Sequence, residues 1–241
     1  MYTPNYNKTL LLALPYAGAN SYCYNFLTPL LPPEIELVTL EYPGRGNKSD
    51  IPLISDMKLL VANLITQYRL LLHKLKPGKV VLYGHSLGTV IGLAMLHELN
   101  RQKDLLYPAM AIFSGQGSPV TTPKKQLLHL NDDELIDYFK EIGSLREEIA
   151  AEKDLMNYLL PILRNDLACY DSTNNAYSGK LQLPFTIING NNDDILPEHI
   201  NDWGKETEGE TKFYQLDGHH FFISQYPVPF SRIIINAINS R

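Results

Sequence analysis

The chain has 241 residues, 44% of them hydrophobic and 20% charged, a balance that fits one globular domain, with or without a small insertion, and leaves no place for a disordered or coiled-coil protein. A net charge of −5 gives no reason to expect nucleic acid or an anionic membrane as a partner. Its two cysteines, Cys23 and Cys169, are too few and too far apart for a disulfide framework and suit a reducing cytoplasm, and no apolar run approaches the length of a membrane span.

TLLLAL (9–14) has strand length and stops at Pro15. With Lys8 before it and an A-x-A-like end after it, this stretch also resembles a short secretory signal, but its length and the proline after it predict a buried strand followed by a turn. IELVTLEY (35–42) is the second strand, closed by Pro43-Gly44. A helix follows, with Ser55 as its cap and Met57, Leu60, Val61, Leu64, Ile65, Tyr68, Leu71, Leu72 and Leu75 recurring at three- and four-residue steps until Pro77-Gly78. KVVLYG (79–84) is a strand, LGTVIGLAMLHELN a helix, and AMAIFSG (109–115) a further strand.

Residues 116–180 then offer no good strand. NDDELIDYFKEI and EKDLMNYLLPILRNDLACY read as helices, with room for one more. Strands return at PFTIING (184–190) and TKFYQL (211–216), and a last helix covers about 224–239. Strands alternating with helices predict an α/β fold, a mostly parallel sheet with helices on both faces. Residues 1–241 form one domain in this reading, with 116–180 as a helical lid inserted over one end of the sheet.

The third strand runs into Gly84-His85-Ser86-Leu87-Gly88. G-x-S-x-G between a strand and a helix is the setting of a nucleophile elbow. The sharp turn exposes the Ser86 hydroxyl above the sheet, the two glycines supply room, and the Leu87 N–H at the helix start is free to bind an oxyanion. A serine hydroxyl needs a base beside it. In this arrangement an acid and then a histidine follow from later strands. The loop after PFTIING holds Asp193 and Asp194, and the loop after TKFYQL holds His219 and His220; each pair lies past the C-terminal end of a strand, where open α/β sheets place their sites. Pro15-Tyr16-Ala17-Gly18 suits the second oxyanion donor, with the N–H of Ala17 first and that of Tyr16 second. His73, His97 and His129 sit in helical or surface contexts, and His85 reads as packing beside the turn.

With these segments in place, the chain resembles a type II thioesterase, the stand-alone editing hydrolase of polyketide and nonribosomal peptide synthetases. LPYAGAN, the P-G-R-G of Pro43–Gly46, YGHSLG, the two helical segments, INGNNDDIL and DGHHFFI carry the resemblance. It implies an α/β-hydrolase fold and a Ser86–His220–Asp193 triad. The family acid stands three residues after a strand-closing Gly, here Gly190, and the family histidine precedes Phe plus another aromatic, here Phe221 and Phe222. His219 stands where the family usually has a small residue.

The resemblance further implies an acyl group carried on the phosphopantetheine arm of a carrier protein. A monomer that binds its carrier transiently is expected, since lid and sheet can form one compact unit, and no metal or cofactor is expected, since a Ser-His-Asp mechanism needs none and the cysteines and histidines form no ligand pattern. Tyr16, Arg45, Tyr138, Phe139, Tyr158 and Phe221 are the substrate-contact candidates. Leu135, Leu155, Leu159 and Leu163 share the lid's apolar spacing, which equally suits helix packing. Arg45 and Lys48, and separately Lys124 and Lys125, are basic enough to meet a phosphate or an acidic carrier, against the ordinary reading of solvated loops. The rival readings are a medium-chain fatty acyl thioesterase, a generic carboxylesterase, and a non-catalytic carrier-protein binder.

Overall fold

A computed structural model describes residues 8–103, 107–173 and 179–240. Six strands, β1 (Thr9–Leu14), β2 (Ile35–Thr39), β3 (Lys79–His85), β4 (Met110–Ser114), β5 (Phe185–Gly190) and β6 (Thr211–Leu216), form one sheet in the order β2-β1-β3-β4-β5-β6. Every pairing is parallel. The helices are α1 (Met57–Leu75), α2 (Leu87–Arg101), α3 (Asp132–Glu141), α4 (Glu147–Ala150), α5 (Lys153–Asp171), α6 (Pro197–Asn201), α7 (Phe222–Gln225) and α8 (Pro227–Asn239).

The apolar runs of the strands follow from a sheet covered on both faces. Leu10, Leu12 and Leu14 point to the face packed by α1 and α2, while Leu11 and Ala13 point to the face packed by Tyr24 and α8. Val80 and Leu82 against Val81 and Tyr83 repeat the alternation on β3. Connections from β1 lead outward to β2 and then back across to β3, so the chain changes direction between β1 and β3. The strand ends beside that switch point form the crevice in which open α/β sheets bind ligands.

Several boundaries differ from the sequence reading, and three of the differences have a local cause. The cap of α1 is Asp56, not Ser55: its carboxylate accepts the Leu59 N–H at 2.9 Å, which satisfies one of the orphan donors of the first turn. β2 ends at Thr39, three residues short of Tyr42, as Leu40 gives its N–H to Ala13 and the chain turns toward the P-G-R-G loop. The last helix is broken in two at Tyr226, whose φ of −127° and ψ of 58° are not helical. Pro227 follows it, and a proline ring disfavours the helical conformation in the residue before it.

Between β4 and β5 lie α3, α4 and α5 with a separate apolar cluster of Leu135, Phe139, Leu145, Met156, Leu163 and Leu167. Asn131 and Glu134 close a reciprocal capping box at the start of α3. The short α4 is the third helix for which the sequence left room.

Candidate active site

Ser86 sits at φ 54° and ψ −119°, a conformation that costs a non-glycine residue free energy and persists because its surroundings over-determine it. Its own N–H bonds to the Ser114 carbonyl on β4, and the Thr89 hydroxyl bonds to the Gly84 carbonyl. The turn is tight enough to demand glycine on both sides. A Cβ on Gly84 would lie 2.3 Å from the Gly88 oxygen, and one on Gly88 would lie 2.2 Å from the Leu14 oxygen at the end of β1.

The loops after β5 and β6 are stitched together. Asn191 and Asn192 donate their N–H groups to Leu216 and Gly218, and a Cβ on Gly190 would strike the Gly218 oxygen at 2.4 Å. This stitching carries His220 over the elbow. Its Nε2 is 3.0 Å from Ser86 Oγ, and its Nδ1 is 2.9 Å from Asp193 Oδ2. A carboxylate can only accept, so Nδ1 carries the proton and Nε2 presents its lone pair to the serine hydroxyl. The Asp193 side chain is 3% exposed, and enclosure strengthens the hydrogen bond it accepts.

The neighbours of these two residues turn elsewhere. His219 is exposed and its Nδ1 lies 3.0 Å from the Asn192 carbonyl. Asp194 is exposed and pairs with Lys125 at 2.5 Å. Partial burial would raise its pKa, but the hydrogen bond and charge of Lys125 prevail and hold it below the ordinary carboxylate value. His85 lies fully buried under the site, its ring 5.2 Å from that of His220 and its Nδ1 2.9 Å from Ser114 Oγ. Burial, with a smaller contribution from His220, pushes its pKa well below 6.5 and keeps it neutral at physiological pH.

Ala17, Ser86, Leu87 and His220 share the wall of a cavity of about 270 Å³. Among the described residues no acceptor takes the N–H of Ala17 or that of Leu87. Tyr138, Phe139 and Ile142 of the α3 region and Leu167 and Tyr170 of α5 also line it. A second cavity of about 320 Å³ lies against Ala17 and Phe139 and is bounded by Tyr16, Tyr22, Leu159 and Leu163.

Of the six substrate-contact candidates, Tyr138 and Phe139 line the first cavity, and Tyr16 and Phe139 line the second. The other three do not. Tyr158 is 50% exposed and belongs to neither wall. Phe221 is buried in a ring cluster with Tyr16, His85 and His220 and supports the histidine from behind. Arg45 corrects the expectation of a solvated basic loop: it is 2% exposed and pairs with Asp166 of α5 through both terminal nitrogens, at 2.6 and 2.5 Å. Its charge is paired inside the fold rather than displayed on a solvated loop.

Lys48 bonds to the Glu41 carbonyl, and Lys124 to the carbonyls of Asp171 and Thr173. Asp166 was not singled out in the sequence. The available signal was an acid on the buried stripe of a helix, between Leu163 and Leu167, since such a group is rarely enclosed without a cation.

A family model described as "Thioesterase domain" matches residues 9–239. The chain belongs to this thioesterase family. Members of the family are serine hydrolases acting on thioesters, and the parallel sheet with its elbow is the α/β-hydrolase fold. Among similar proteins is the "Probable cadicidin biosynthesis thioesterase" of Streptomyces griseus, 26% identical over 90% of this chain; the chain spans 58% of the length of that relative.

The "Gramicidin S biosynthesis protein GrsT" of Aneurinibacillus migulanus is 26% identical over 90% of this chain and 83% of its own length. The crystal structure of ClbQ from the colibactin NRPS/PKS pathway superimposes with a TM-score of 0.86 at 25% identity, covering 97% of this chain and 98% of that one. Among the described residues, no group of three or more His, Cys, Asp or Glu is placed to hold a metal ion, and no helix is long and apolar enough to cross a membrane.

Proposed function

We propose that this thioesterase hydrolyses acyl groups from the phosphopantetheine arm of carrier proteins in polyketide or nonribosomal peptide synthesis. The observation that carries the reading is the bridge made by His220, 3.0 Å from Ser86 Oγ on one side and 2.9 Å from Asp193 on the other. Two unoccupied amides stand beside it in a cavity under α3 and α5. Relatives whose names place them in such pathways supply the substrate class.

In this mechanism His220 Nε2 takes the Ser86 proton as Oγ attacks the thioester carbonyl. Asp193 holds the ring in its tautomer and stabilises the imidazolium. The N–H groups of Leu87 and Ala17 bind the developing oxyanion, each contributing about 3 kcal/mol to transition-state stabilisation. The tetrahedral adduct collapses, the C–S bond breaks, and His220 returns its proton to the departing sulfur. Water then attacks the acyl-serine with His220 as base, the acyl C–Oγ bond breaks, and His220 returns the proton to Ser86 Oγ as the free acid leaves. Each step balances in protons and electrons without a metal or cofactor.

The segment 116–180 acts as a lid in this reading, over an acyl group in the cavity walled by Tyr138, Phe139 and Leu167. The second cavity, reached past Ala17, accommodates the thiol arm. The protein works as a cytoplasmic monomer that meets its carrier transiently.

The test is a carrier protein loaded with acetyl or a longer acyl chain and followed by intact mass, with an oxygen ester of matched length beside it. Fast loss of the acyl group from the carrier with slow ester cleavage supports the proposal. An ester cleaved well while the carrier stays loaded identifies a carboxylesterase, and a strong preference for medium acyl chains points to fatty acid release.

A further inference from the structure

The loop after β1 is tethered at almost every residue around Ala17. The Tyr24 hydroxyl bonds to the Leu14 carbonyl and the Tyr42 hydroxyl to the Pro15 carbonyl. Ala19 returns its N–H to Tyr16, and Ser21 gives both its N–H and its hydroxyl to Glu41. Gly18, held at φ 75°, gives its N–H to Asp166 Oδ2 at 2.9 Å. Arg45 Nη1 contacts the same oxygen at 2.6 Å and the Ala19 carbonyl at 3.2 Å. The amides of Gly18 and Ala19 are therefore occupied, and Ala17, whose own N–H has no acceptor among the described residues, lies in the cavity wall.

We infer that the buried Arg45–Asp166 pair is a positioning device for the oxyanion hole, fixing the Ala17 N–H by clamping Gly18 and Ala19 to helix α5. The inference rests on the reading of Ala17 as an oxyanion donor. Its geometry is specific. One carboxylate oxygen is shared between the loop amide and the guanidinium, so loop and helix cannot shift independently. Both side chains are 2% exposed, so water does not offer the loop an alternative partner. The pair also has an electrostatic consequence. Asp166 forms part of the cavity wall, and an unpaired carboxylate there would oppose the negative charge that develops on the substrate oxygen. Arg45 cancels that charge while leaving the Gly18 hydrogen bond in place.

A pair that only stabilised the fold could be replaced by apolar side chains of similar volume with little loss, and such exchanges of buried ion pairs are often neutral or stabilising. A positioning pair could not. The experiment therefore compares the double variant Arg45→Met/Asp166→Leu with wild type and with Ser86→Ala. It measures kcat and KM on a soluble acyl thioester, affinity for a short alkylboronic acid whose tetrahedral adduct on Ser86 carries an oxyanion, and thermal unfolding.

The expected result is a double variant that still unfolds cooperatively, at a temperature lowered by the loss of the Gly18 and Ala19 partners, with near-native KM and with kcat and boronate affinity, per folded molecule, both lowered by about a hundredfold, the effect of a displacement near 1 Å in a catalytic group. A folded double variant with wild-type kcat overturns the inference, as does a fall in activity matched by an equal fall in the folded fraction. If the double variant does not fold, the isosteric Asp166→Asn carries the comparison: a loss of about tenfold in kcat at constant KM supports the inference, and wild-type kcat overturns it. Turnover retained in Ser86→Ala would instead remove the mechanism on which the inference rests, a failure distinguishable from the others.

Discussion

Gly88→Ala tests the elbow and the oxyanion loop together. The added Cβ would lie 2.2 Å from the Leu14 oxygen and 2.9 Å from the Pro15 oxygen, both backbone atoms. Relief to an ordinary contact of about 3.4 Å requires a displacement of roughly 1.2 Å between the start of α2 and the end of β1. Those two segments carry the Leu87 and Ala17 N–H groups, which under the proposed mechanism converge on one oxygen. A displacement of about 1 Å in a catalytic constellation costs on the order of a hundredfold in rate, and loss of a whole oxyanion donor costs about 10² to 10³.

Gly88→Ala is therefore expected to lower kcat on an acyl thioester by at least about a hundredfold while KM changes little. Gly92→Ala is the internal control. It lies one turn further along α2, and its Cβ would meet the Phe113 ring edge at 2.9 Å, a side chain rather than backbone. Alanine improves the helix by about 1 kcal/mol, which offsets part of the crowding, so kcat should stay within about threefold of wild type. Thermal unfolding of both variants separates rate from stability. A Gly88→Ala enzyme with native kcat, or a Gly92→Ala enzyme equally slow, would refute the geometric reasoning.

The histidine pair predicts opposite outcomes: His220→Ala should lower kcat by about 10⁴-fold or more, whereas His219→Ala, which loses one exposed contact to a backbone carbonyl, should stay within about threefold; steady-state kinetics with the reverse pattern would transfer the base to His219. The acid pair behaves alike, with Asp193→Asn expected near a 10⁴-fold loss and Asp194→Asn, one partner of an exposed ion pair, near wild type; equal losses would show that the ring orientation depends on both.

His85 predicts an acid-side effect on stability. Its folded pKa lies well below 6.5, so the unfolded chain takes up a proton that the folded one refuses. The stability held above pH 6.5 is then lost as pH falls, by up to about 1.4 kcal/mol per pH unit. Unfolding temperature measured against pH should fall less steeply in His85→Gln, and an unchanged acid slope would count against a buried neutral imidazole.

Local signals in the sequence were enough for the strand and helix order. Period-two alternation in a sheet covered on both faces becomes a continuous apolar run such as TLLLAL, and the three- and four-residue spacing of α1 is legible without any partner. Boundaries were less legible where two residues compete for one role. Ser55 and Asp56 can each cap a helix, and only the backbone at Asp56, extended with its carboxylate facing the Leu59 N–H, decides between them. The break at Tyr226 had a local cause in Pro227 that the apolar continuity of the last helix masked.

By itself the sequence determined the elbow, because the strained turn at Ser86 is a local demand met by glycines two residues away on either side. It also determined the strand ends from which an acid and a base could come, because parallel strands deliver their following loops to one edge. Tertiary structure alone decided which histidine faces Ser86 and which aspartate meets that histidine. Rotation of a side chain about a loop backbone has no sequence period, and it is the stitching of Asn191 and Asn192 to the β6 loop that turns His220 inward and leaves His219 in solvent. Tertiary structure alone also made Arg45 a buried partner of Asp166, 121 residues away. An arginine in a Gly-rich loop looks solvated until a helix that belongs to a distant part of the chain covers it, and burial then makes the ion pair obligatory.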